Sequence, residues 1–180
     1  MSLPLHSALL TLLVFGLSSP AAAPRPPRQQ SLDDPTALAT FEDLITYDIE
    51  TAGIAAKKAV HPDVRDVANS FVQGHQGLLK QTKDLAKKLN MTPTPPKKAP
   101  MARAHANALR KLNATTGEEF DRLFLANEVA YHDGAIKIFN DTLEPAIKNP
   151  ELKAAVKAAV PAFQAHLDAS QTLATKYHAK

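Results

Sequence analysis

HPDVRDVANSFVQGHQGLLKQTKDLAKKLN, residues 61–90, has one reading from end to end. Val64, Val67, Phe71, Leu78, Leu85 and Leu89 recur at the three- and four-residue intervals of an amphipathic helix. Pro62 suits its first turn, and it ends near Asn90. His75 falls on the same side as the apolar residues. Upstream, Leu38, Phe41, Ile45, Ile49, Ala52 and Ala56 predict a helix from about Thr36 to Ala59, so His61-Pro62 marks a tight turn between two long helices. Downstream, MTPTPPKKAP (residues 91–100) is a proline-rich linker that cannot be helical throughout. A short helix is expected from about Met101 to Leu112. Thr116 and Glu119 read as a capping box opening a fourth helix, with Phe120, Leu123, Phe124, Asn127, Tyr131, Ala135, Ile138 and Phe139 on its stripe. Asn149-Pro150 opens a last helix along Leu152, Val156, Ala159, Phe163, His166, Ser170 and Leu173, with Pro161 predicted to kink it. Strand alternation is absent. Two antiparallel hairpins joined by a crossover with a short extra helix predict an all-α four-helix bundle.

The ends and the composition set the compartment. Residues 1–23 read as a secretory signal peptide, with a mostly apolar run from Ala8 to Leu17 and the small residues Ala21, Ala22 and Ala23 at the cleavage end. No Lys or Arg precedes that run, which departs from the usual signal pattern. The run is about half of the roughly 20 residues a membrane span needs, so no transmembrane anchor is expected in the mature protein. Residues 24–34 form a proline-rich basic leader with little to bury, expected to be disordered, and residues 35–180 form the bundle. The chain has no cysteine, which removes both a disulfide framework and a lipid-modified cysteine. A periplasmic or secreted location is expected. The charge of +3 is spread among mixed signs, and without tryptophan or aromatic–basic interleaving nucleic-acid binding is not expected.

Three histidines, His75, His132 and His166, stand in line with the apolar stripes of three different helices. An imidazole buried without a partner costs roughly 1–3 kcal/mol, so each must be hydrogen-bonded or bind something. From the turn near Val60, Asp48 and His75 each lie roughly 18–22 Å along their helices; from the turn near Asn149, His132 and His166 each lie roughly 25 Å away. One layer can therefore gather a carboxylate and three imidazoles, a donor set suited to a divalent transition metal such as Fe, Zn, Cu or Mn. Glu50 and Glu128 are further candidates, Glu128 because it precedes His132 by four residues. Asp121 lies about 16 Å from His132 along the same helix, too far to share an ion. The bland alternative is an Asp48–His75 pair and a His132–His166 contact that lock the register. His61, His105 and His178 are read as incidental. A diiron site of the usual bundle kind is disfavoured, because the residues three before these histidines are Val72, Val129 and Phe163 rather than glutamate. No nucleophile elbow or phosphate-binding glycine loop is present.

The order of these pieces resembles a bacterial family of exported proteins, the domain-of-unknown-function 4142 family. The resemblance runs from about Ala37 to Leu173. It rests on Asp48-Ile-Glu50 with Gly53 and Ala55, on Pro62-Asp-Val64 leading to Phe71-Val-Gln-Gly-His75, and on Gly117-Glu-Glu-Phe120-Asp121 followed by His132 and Phe139. Asn149-Pro-Glu-Leu152, Val160-Pro161 and His166-Leu167 complete it. Gly74 stands where the family usually has an acidic residue, Asp48 where glutamate is commoner, and Phe124 where tyrosine is common. The resemblance implies a ferritin-like helical bundle in the bacterial envelope and brings no assigned reaction. Two functions follow as expectations: a non-enzymatic or weakly enzymatic metal-binding protein, or a metal-free stress-related module that meets an envelope protein partner through its surface.

Overall fold

The computed structural model describes residues 32–97 and 100–179, and the expected signal peptide and most of the leader lie outside them. All regular structure among the described residues is helical: α1 (Asp34–Lys58), α2 (Pro62–Lys88), α3 (Pro100–Ala114), α4 (Gly117–Ile138), a π-helical turn (Phe139–Leu143), the short α5 (Glu144–Ala146) and α6 (Pro150–Lys176). The five helices the periodicity predicts are all present, and the one expected to be short, α3, extends from Pro100 to Ala114. None is long and apolar enough to cross a membrane.

Several ends differ from expectation for local reasons. α1 begins at Asp34, two residues early, because the Asp33 side chain accepts from the Thr36 N–H at 3.0 Å and caps the helix. Leu32 just ahead of it packs against the core, so the leader stops short of residue 34. Thr116 is the N-cap of α4 but its side chain caps nothing, correcting the capping box. Gly117 enters the helix at φ +68°, a left-handed conformation that glycine adopts freely, and the chain turns in by another route. The π turn lies just ahead of Pro145, which has no N–H to donate and crowds the carbonyl four residues back. α6 continues through Pro161 as one helix.

α1 pairs with α2 and α4 with α6 as hairpins; α1 also meets α4, and α2 meets α6. α3 lies against α1 and α4, burying Leu112, and Lys58 Nζ donates to the Leu112 and Asn113 carbonyls at 2.7 and 3.0 Å. The core is divided. One apolar cluster holds Phe41, Ile45, Phe139, Leu152 and Phe163; the other holds Ala55, Val64, Phe71, Phe120 and Phe124. Between them along the helices lie Asp48, Thr51, His75, Glu128, His132 and Ser170, all buried.

His61 is not incidental. Asp121, fully buried, accepts the Val60 N–H at 3.1 Å, the His61 N–H at 2.8 Å and His61 Nδ1 at 2.7 Å, tying the α1–α2 turn to the start of α4. The Tyr177 ring leans on the His61 ring with centroids 4.0 Å apart, and its hydroxyl donates to Asp63. At the other end Asp34 accepts the Lys148 and Asn149 N–H groups, and Asn149 caps α6.

Candidate metal centre

The polar layer brings Asp48 from α1, His75 from α2, His132 from α4 and His166 from α6 together, with one donor atom of each within 4.8 Å of all the others. Short turns make this possible, because each hairpin returns its two residues to the same level, as counting from the turns predicts. His75 Nε2 lies against Asp48 Oδ2, His166 Nδ1 is 3.0 Å from His75 Nε2, and His132 Nε2 is 3.5 Å from Asp48 Oδ2. Four donors around one ion at about 2.1 Å stand roughly 3.4 Å apart, so the widest pair need close by about 1.4 Å while the pairs His75 makes with Asp48 and His166 open slightly.

Hydrogen bonds fix what each group offers. His132 Nδ1 is 3.0 Å from the Glu128 carbonyl, which can only accept, so Nδ1 carries the proton. Its Nε2 is then the ring nitrogen turned towards Asp48. Metal-ligating histidines are commonly oriented in this way. Both Asp48 carboxylate oxygens, Glu128 Oε2 and His132 Nε2 are buried without a well-aligned hydrogen bond, although His75 Nε2 lies against Asp48 Oδ2. Glu128 Oε1 is satisfied by Thr51 Oγ1 at 3.1 Å and Asn127 Nδ2 at 3.2 Å. Thr51 and Asn127 thus support the layer, and the sequence carries no chemical signal for Thr51 beyond its position three residues after Asp48.

Apolar rings wall the site. Phe71 stacks on His166 at 4.0 Å, and Phe163 leans on His75 at 4.8 Å and on His132 at 5.5 Å. Burial alone pushes the Asp48 carboxyl up, but hydrogen bonding and charge from His132 and His75 outweigh it and hold Asp48 below the usual carboxylate range. Burial raises Glu128 well above its ordinary value, and the Asp48 charge adds to that. Burial, then the neighbouring His75 and His132, lower His166 to about 4. At neutral pH the layer thus holds an ionised Asp48 and a neutral His166, with Glu128 pushed towards its protonated form.

The His166 shift has a sign that can be measured. Its folded value, about 4, lies below the ordinary 6.5, so unfolding favours proton uptake between those limits. The contribution to stability is complete above pH 6.5 and is lost as pH falls towards 4. Urea unfolding of the metal-free protein at pH 7.5 and pH 5 is expected to show a loss for the native chain that is smaller in His166→Gln.

Glu50 does not join the cluster. Two residues beyond Asp48 is about 200° around a helix, so it faces outward, half exposed, and meets His105 Nε2 at 2.6 Å. His105, also read as incidental, stacks on Tyr47 at 4.2 Å and clasps α3 to α1.

No curated protein matches the chain. Its fold is similar to that of a DUF305 fragment from Deinococcus radiodurans, with a TM-score of 0.69 at 16% identity, covering 79% of this chain and 95% of that one. It is also similar to CopM in its Cu(I)-bound form (TM-score 0.62, 16% identity, 78% and 94% covered). The Cu(II)-bound form of CopM gives 0.62, 16%, 81% and 97%. At such identity the likeness shows the fold alone. Residues 18–173 match the family described as Domain of unknown function (DUF4142), and the chain belongs to that family.

Proposed function

We propose that this protein holds one divalent transition-metal ion between Asp48, His75, His132 and His166, with Glu128 beside them, and serves to store or scavenge that ion or keep it from driving oxidation. One observation carries the reading. A largely buried layer brings a carboxylate and three imidazoles within 4.8 Å of one another, yet neither Asp48 oxygen nor His132 Nε2 makes a well-aligned hydrogen bond. Unpaired buried acceptors are costly, and a cation placed among them satisfies all at once. Three nitrogens and one oxygen suit Zn(II) and Cu(II) better than a soft ion. The copper-bound forms of CopM, a protein of similar fold, put copper among the first ions to try. The hairpin pairings support a ferritin-like four-helix arrangement, and the sequence of residues 1–23 supports export to the periplasm or beyond.

The second reading, a metal-free envelope interaction module, is favoured by the contacts His75 makes with both Asp48 and His166, which could serve as a structural clasp. Elemental analysis separates the two. Tag-free protein lacking residues 1–23 is expected to carry about one ion per chain, or to bind one on titration with zinc, iron, copper or manganese. His132→Ala is expected to bind none. Absence of binding by the native chain would leave the clasp.

A further inference from the structure

The layer is closed on one side and open on the other. α3 lies across α1 and α4, whereas among the described residues no further helix is laid across the seam between α2 and α6. Asp48, His75 and His132 are buried; His166, on α6, is half-buried. Its outer edge looks onto Gly74 of α2. A Cβ at position 74 would lie 3.7 Å from His166 Cε1 and 3.8 Å from Nε2, in ordinary contact, so the glycine leaves that edge uncovered without being needed to avoid a clash. Gly77, one turn on, meets nothing within 4 Å. On α6 the residues four before and three after His166 are Ala162 and Ala169. Phe71 stacks on one face of the His166 ring, so the ring's freedom lies towards the bare stretch of α2.

Resting on the metal-binding reading above, we infer that the ion enters and leaves through the α2–α6 seam past Gly74, with His166 as the ligand that swings aside to admit it. The competing route runs under α3. There a cavity of about 260 Å³ is lined by Thr51, His105, Asn127, Tyr131 and Gly134. That way ends on Tyr131, whose hydroxyl is tied to the Leu44 carbonyl, and on the Thr51–Glu128 pair, which stand between the cavity and the donors.

Gly74→Leu and Gly134→Leu test the two routes. Both add a good helix former where glycine stood, so neither should harm folding. Copper(II) is the probe. Its uptake is followed in a stopped-flow instrument by quenching of tyrosine fluorescence, since the chain has three Tyr and no Trp, and its release by transfer to a chelator. An obstacle on the route changes both rates by one factor and leaves affinity alone. Gly74→Leu is expected to slow loading and release alike by about tenfold, an added barrier of roughly 1.4 kcal/mol, with Kd unchanged within twofold. Gly134→Leu is expected to match the native chain. Unchanged rates in Gly74→Leu, slowing in Gly134→Leu instead, or a shifted Kd in Gly74→Leu would each overturn the route while leaving the metal site standing. A native chain that takes up no ion would remove both.

Discussion

Replacing Asp48 with Asn is expected to lower metal affinity by about a hundredfold or more, while changing the stability of the metal-free protein by much less than the loss of a buried ion pair would. The side chain is fully buried and neither carboxylate oxygen meets an aligned donor. Asn fills the same volume, removes the charge, and keeps a carbonyl oxygen and an N–H₂ that can pair with the imidazole nitrogens beside it. A structural clasp predicts the reverse. If the Asp48 carboxylate existed to hold a protonated His75 or His132, losing it would strand a buried cation at a cost of about 3–5 kcal/mol. Urea unfolding of chelator-treated protein beside copper and zinc titrations reads both quantities in one pair of samples. A metal-free Asp48→Asn chain several kcal/mol less stable than native would sink the metal reading even if some ion still bound.

Asp121 gives the opposite expectation from an equally buried carboxylate. Its oxygens take three donors, two of them the backbone N–H groups of the α1–α2 turn and the third the His61 ring. Asp121→Ala strands all three, and the expected loss is about 3–5 kcal/mol. The site itself lies about 16 Å away along α4, so affinity for the ion should hold within about twofold at temperatures where the variant is folded. Thermal unfolding of the metal-free variant and a titration well below its midpoint check the two halves. An Asp121→Ala protein of native stability would mean that the turn is held by something other than this carboxylate. The two aspartates are alike in burial and differ only in their partners, which is what separates a structural group from one waiting for a cation.

Much of this was legible in the sequence because hairpins convert position along the chain into height. Helical rise and two short turns suffice to level Asp48 with His75 and His132 with His166, and the same arithmetic removes Asp121 from the site. Rotation about a helix axis is also legible: Glu50 could have been set aside on its 200° offset from Asp48. Contacts between helices that are distant in sequence were not readable. The register of one hairpin against the other depends on how Phe41, Phe139 and Phe163 interlock, and no local spacing encodes that packing. For the same reason His61 and His105 looked incidental. Their partners, Asp121 and Glu50, lie on other helices, 60 and 55 residues away. The failed capping box has a different cause. Thr116 and Glu119 have the correct spacing, and the positive φ of Gly117 overrides it.

The divided core has a further consequence for a chain without cysteine. An ion held by residues 48, 75, 132 and 166 closes loops of 27, 57 and 34 residues between successive ligands. Cross-links of that span restrict the unfolded ensemble as disulfides do, by about 3–4 kcal/mol for a single loop of such length in the chain-entropy picture. One ion would thus act as a four-way staple at the level where the two apolar clusters meet, indifferent to reductants and undone by a chelator or by acid. Metal loading and mechanical integrity would then be one property: a depleted molecule would be an unbraced one, more open to proteolysis, and its abundance would follow the supply of the ion.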